Sequence, residues 1–162
     1  MPRVLAYHIT WGTYGTRLHG DPRGTVDRAH NEYGEPVLGY DPVRVEQEYE
    51  NLKFAPVRLT TEQCMFAEDI IPEICVRGKW KLHTCAAAPD HVHVVLSSTF
   101  HPEVIRKLLK RWLGQELSKN WPLPDGQSWW AEDGSTKWIF DDKYFRNAIG
   151  YVSRQRIARP TS

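Results

Sequence analysis

The 162 residues contain no run of about 18 apolar side chains, the length a helix needs to cross a bilayer, so a membrane-spanning protein is not expected. The start, Met1-Pro2-Arg3-Val4-Leu5, passes straight into strand-like sequence without a signal-peptide core, and a soluble, cytoplasmic protein is the expectation. Cysteine is scarce. Cys64, Cys75 and Cys85 are odd in number and form no C-x-x-C pair, which excludes a disulfide framework and a zinc-cysteine site and leaves three small core residues. Internal repeats are absent too, which removes repeat architectures.

What is present is globular composition, with 41% hydrophobic and 25% charged residues, well away from the low-hydrophobicity, high-charge regime of disordered chains. The length suits one domain over residues 1–162. A net charge of +1 conceals an asymmetry: residues 1–100 sum to −3 and residues 101–162 to +4. Residues 143–162 hold Lys143, Arg146, Arg154, Arg156 and Arg159 and no acid. Such a run is either a solvated helix face or a surface for a polyanion.

Local patterns predict the elements. Residues 4–13 alternate, with Leu5, Tyr7, Ile9 and Trp11 on one face and His8 and Thr10 on the other, as a strand does. Residues 17–57 are rich in Gly, Pro and Asp and offer only one short helix, around 43–52, so they read as a long insertion. Thr60 and Gln63 make a capping box for a helix over about 61–77, which Gly78 is placed to stop and Pro72 is expected to kink or break. Residues 80–88 and 91–98 form a β-hairpin across Pro89-Asp90. Pro102 opens a helix whose apolar stripe includes Ile105, Leu109 and Leu113. Residues 129–131 and 137–140 read as short strands flanking the turn Asp133-Gly134-Ser135, and a last helix spans about 142–158. This order predicts an α+β fold, a ferredoxin-like or RRM-like antiparallel sheet with helices packed on it. Fold alone does not fix function.

Two constellations carry chemistry. In Pro89-Asp90-His91-Val92-His93-Val94-Val95-Leu96 the histidines stand at i and i+2 on a strand, so both leave one face and can hold a single metal ion between them. A bare H-x-H arises by chance roughly 0.3 times in a chain with this histidine content, so the pair alone also fits two surface histidines. In the last helix Tyr151 and Gln155 are four apart and stack on one face, with Asn147 one turn earlier. Taken alone, a helical tyrosine is usually a packing residue.

Together, a His-hydrophobic-His strand and a following Y-x-x-x-Q helix resemble the single-tyrosine HUH transposases of the insertion sequence 200 type and their REP-associated relatives. The likeness extends to Tyr7-His8-Ile9-Thr10, to the Pro89-Asp90 lead-in and to the Gly134-Ser135-Thr136 turn, and it covers the chain apart from residues 17–57. It implies that His91 and His93 are metal ligands, that Gln155 adds its amide oxygen, and that Tyr151 is the nucleophile. The ion implied is Mg²⁺ or Mn²⁺, and the activity is cleavage and rejoining of single-stranded DNA through a covalent 5′-phosphotyrosine. A divalent ion on the scissile phosphate offsets its charge, so a phenol with a reference pKa near 10 can attack it. Arg106, Lys107, Lys110, Arg146, Arg154, Arg156 and Arg159 are expected to form the phosphate-binding surface, with Trp138 as a platform for unpaired bases.

A hairpin with a single-stranded flank is the expected substrate, and residues 17–57 are a candidate for gripping it. The alternative from another class is a domesticated, non-catalytic DNA- or RNA-binding module on the same fold. Histidine-triad hydrolases need a third histidine where Val95 stands, and two-histidine phosphoesterases need a second H-x-T/S besides His8-Ile9-Thr10. His8 and His83 read as structural or DNA-contacting residues. The oligomeric state is left open, a homodimer among the alternatives.

Overall fold

The computed structural model describes residues 3–16, 43 and 52–160. Strand β1 (Ala6–Gly12) is followed by α1 (Thr61–Gly78), the hairpin β2 (Lys81–Ala88) and β3 (His91–Ser97), helix α2 (Pro102–Asn120), β4 (Ser135–Ile139) and α3 (Asp142–Arg154). The sheet order is β2-β3-β1-β4 with every neighbouring pair antiparallel. That is the ferredoxin-like order of an α+β fold, with α3 added after the last strand. The single-helix expectation for 43–52 and most of the insertion at 17–57 lie outside the described residues. No helix among the described residues is long and apolar enough to cross a membrane.

Strand alternation gives the sheet two different faces. Ile9, Trp11, Cys85, Val92, Val94 and Leu96 point to one of them and pack with Ile71, Ile74, Leu109 and Leu113 of α1 and α2 in the main core. The opposite face carries a much smaller cluster, in which Ala6, Ala86, Val95 and Ile139 meet Ala148 and Val152 of α3. Helix α3 packs on β2 and β3. His8, Thr10, His91 and His93 therefore share the thinly covered face.

The capping box starts α1 as expected: Thr60 Oγ1 accepts from the Gln63 amide at 3.1 Å while Gln63 Oε1 accepts from the Thr60 amide at 2.9 Å. Pro72 does not break this helix. It lacks the N–H that would bond to the Glu68 carbonyl, and that carbonyl instead accepts the Cys85 thiol at 3.7 Å. The left-handed cap falls on Lys79, at φ 61°, rather than on Gly78. Gly78 is needed because a Cβ there would lie 2.5 Å from the Trp80 ring.

Two sequence expectations need correcting. Residues 129–131 form no strand beside β4; Trp130 makes one isolated bridge with Thr13, just beyond β1, and both indoles are buried anchors. Trp129 Nε1 donates to Ser118 Oγ and Trp130 Nε1 to the Lys110 carbonyl, each at 2.8 Å. Helix α3 ends at Arg154, four residues before the expected limit. The cause is tertiary: the Ile157 amide donates to Glu68 Oε2 at 2.8 Å, and Arg156 Nη1 to the Cys85 carbonyl at 2.9 Å.

Glu68 holds this tail in place. Its fully buried carboxylate also accepts from the Ala87 amide at 3.0 Å and pairs with Arg159 at 3.3 Å. Removing it leaves two backbone donors without their acceptor, each costing on the order of 1–3 kcal/mol. We expect Glu68→Ala to destabilise the chain by about 3 kcal/mol and Glu68→Gln by less, since the amide keeps an acceptor. Urea midpoints that agree for all three proteins would contradict this.

Candidate active site

The register between β1 and β3 pairs Thr10 with His93, Gly12 with His91 and His8 with Val95, so the histidines of two strands converge. His8 Nε2 lies 3.0 Å from His93 Nδ1, and Thr10 Oγ1 lies 3.1 Å from the same nitrogen. His91 and His93 face each other edge to face with ring centroids 4.6 Å apart. His91 Nδ1 lies 2.6 Å from Asp90 Oδ1 at the hairpin tip. Donation from Nδ1 to this carboxylate places the His91 lone pair on Nε2, the arrangement of a metal-ligating histidine backed by an acid.

Helix α3 brings the tyrosine. Asp141 caps it, accepting from the Tyr144 amide at 2.8 Å, and Ala148 and Val152 seat it on the sheet. Ser153 Oγ and Thr84 Oγ1, 3.1 Å apart, tie its last turn to β2. Tyr151, one residue before the buried Val152, then stands with its ring centroid 5.7 Å from that of His93 and 6.3 Å from that of His8. It remains 46% exposed, so a phosphate can reach it from solvent. Gln155 is the exposed C-cap of α3, still in a right-handed helical conformation, one turn beyond Tyr151 on the same row.

Burial sets the electrostatics. His8 is pushed down to about 4 by desolvation, with repulsion from Lys137 adding to it, so this ring is neutral near pH 7. Lys137 pairs with His8 across β1 and β4 and puts an exposed cation on the histidine face. His83 is also lowered, by burial first and Lys81 second. Its Nε2 lies 2.7 Å from Ser97 Oγ, and its ring contacts Phe145 at 4.7 Å, so it braces α3 against the sheet.

The donor set is compatible with a divalent ion in one respect: the Nδ1 of each imidazole lies against an acceptor-capable group, and donation from Nδ1 would leave each Nε2 to face an ion. No group of three His, Cys, Asp or Glu side chains is placed for a metal among the described residues. The remaining positions would fall to the Gln155 amide, water and phosphate oxygens, as suits an ion that must also bind substrate.

The cations expected around the site are scattered. Arg106 is 3% exposed, bonds to Thr136 Oγ1 at 3.1 Å and Glu103 at 3.2 Å, and belongs with Lys107 and Lys110 to α2, across the sheet from the histidines. Lys110 donates to the Ala131 and Asp133 carbonyls at 2.8 and 2.9 Å. Burial, then Arg106, pushes it down to about 8. Arg156 and Arg159 are engaged with Glu68, and Arg159 with Asp69 as well. Of the seven, Arg146 and Arg154 are exposed on the helix that carries Tyr151. Trp138 pairs with Tyr7, their rings 5.1 Å apart, and so lies on the face away from the histidines. Sequence reasoning underrated His8 and missed Lys137; the signal for His8 was the His8-x-Thr10 alternation, which needs the β1–β3 register to be read.

No family model matches the chain, and no curated protein does. Among solved structures, a protein of Deinococcus radiodurans R1 described as a "putative transposase" is similar over 98% of this chain and 95% of its own, with 18% identity and a TM-score of 0.47.

Proposed function

We propose that this protein is an HUH-type transposase-like nuclease that cleaves and rejoins single-stranded DNA, with Tyr151 as nucleophile and His91 and His93 as metal ligands. The observation that carries the reading is the convergence of Tyr151 with a histidine pair on one sheet face: centroids 5.7 Å from Tyr151 to His93 and 4.6 Å from His93 to His91. A packing tyrosine has no need of a ligand pair beneath it, nor a structural histidine pair of an Asp90 brace.

The Tyr151 phenol oxygen attacks phosphorus, the new O–P bond replaces the bond to the 3′-oxygen, and the phenol proton passes to water. The 3′-oxygen leaves and takes a proton, so the products are a 5′-phosphotyrosine and a free 3′-hydroxyl. A bound Mg²⁺ or Mn²⁺ would polarise the phosphate and offset its charge. His91 and His93 would hold that ion with Gln155 as a further oxygen donor, and Lys137, Arg146 and Arg154 supply exposed positive charge. Because phenolate leaves more readily than hydroxide, the stored bond can be passed to another DNA end.

The scissile phosphate has to approach an open sheet face, which an unpaired strand does more easily than a duplex. We expect binding of single-stranded oligonucleotides to weaken with salt at a slope of about −0.7 per phosphate contact. A hairpin with a single-stranded flank should be cut well and blunt duplex poorly. Cleavage of matched substrates across a salt series tests this; salt-insensitive binding or preference for blunt duplex would overturn it.

A further inference from the structure

We propose that His8 is a positioning residue for His93, fixing which ring nitrogen carries the proton and how the ring is turned, as Asp90 does for His91. The inference rests on the reading of His91 and His93 as metal ligands. A ligating imidazole offers a lone pair, and the Nδ1 of His93 is held within the sheet, 3.0 Å from His8 Nε2. Ligation through Nε2 then requires the proton on Nδ1, donated to His8 Nε2. His8 is thereby fixed in turn: its Nε2 accepts, so its own proton sits on Nδ1. Thr10 Oγ1, 3.1 Å from His93 Nδ1 and 3.4 Å from His8 Nε2, can share the His93 proton and turn its own toward His8 Nε2, which is compatible with the same tautomers.

Burial makes the contact more than decorative. His8 is 9% and His93 6% exposed, so water does not compete for the bond, and a hydrogen bond in such surroundings is stronger than one at the surface. The two outer partners are chemically unequal. Asp90 is an acid at the tip of the β2–β3 hairpin; His8 is a neutral acceptor in the centre of the sheet, on a strand bonded on both sides. The site thus carries one outer carboxylate rather than two and is less negative for it, which suits a centre that must admit an anionic phosphate.

The test uses the full chain and Co²⁺ alone, followed by calorimetric titration and by the visible absorption of the bound ion. His8→Phe keeps a buried ring and removes the acceptor; His8→Gln gives up the ring and keeps an acceptor near the place of Nε2. We expect His8→Phe to bind Co²⁺ about 10- to 100-fold more weakly with an altered spectrum, and His8→Gln to restore most of the affinity. Wild-type affinity in His8→Phe, or equal loss in both variants, would overturn the proposal while leaving the metal site standing. If His8→Phe fails to fold, His8→Gln decides on its own, since weak binding there would contradict an acceptor role. His91→Ala is the control for the underlying reading: Co²⁺ binding undiminished in that variant would remove the metal site itself, and this inference with it.

Discussion

Tyr151→Phe should abolish the covalent protein–DNA adduct, a loss on the order of 10³-fold or more, while single-strand binding and the melting temperature change little. The substitution removes one oxygen from a ring that is 46% exposed, and the seat of α3 on Ala148, Val152 and the Ser153–Thr84 contact stays as it was. No other tyrosine among the described residues can step in: Tyr7 and Tyr14 pack in or against the main core, and Tyr144 packs against the smaller cluster. An adduct of normal yield with the Phe variant would sink the assignment of the nucleophile.

His91→Ala and His93→Ala should each lower cleavage by more than about 100-fold, since a lost ligand costs more than the 10- to 100-fold of a lost outer partner. Gln155→Ala should cost roughly 10-fold, because water can replace one neutral oxygen donor. His93→Ala carries an added penalty that His91→Ala lacks: it leaves buried His8 facing a void where its hydrogen-bond partner stood. The His93 variant should therefore also lose stability, and the His91 variant little. Full activity in excess EDTA would contradict the metal dependence, and cleavage unchanged in both histidine variants would contradict the site.

Features written in local chemistry were legible in the sequence. The Thr60/Gln63 box and Pro102 mark two helix starts, and the Pro89-Asp90 turn marks the hairpin, because each is settled by residues three or four apart. Alternation put His91 and His93 on one face for the same reason. What escaped depends on contacts between distant segments. The end of α3 is set by Glu68, some ninety residues earlier in the chain, which captures the tail at Ile157 and Arg159. The cations of residues 101–162 looked like one surface because a count along the chain does not say on which side of a sheet each residue falls; Arg106 is buried behind β4 and Lys137 stands in front of it. His8 became part of the site only through a register that joins residues 85 positions apart.

One measurement separates catalysis from DNA binding without cleavage on this face. Incubate the wild-type chain with Mn²⁺ and a hairpin oligonucleotide bearing a single-stranded flank, digest with trypsin and nuclease, and read the masses of the peptides. Cleavage after Arg146 and Arg154 releases residues 147–154, in which Tyr151 is the only tyrosine. The account predicts that this peptide, and no other, carries a nucleotide joined through its 5′-phosphate. A nucleotide on a different residue, or a cleaved oligonucleotide with no peptide modified, would contradict it.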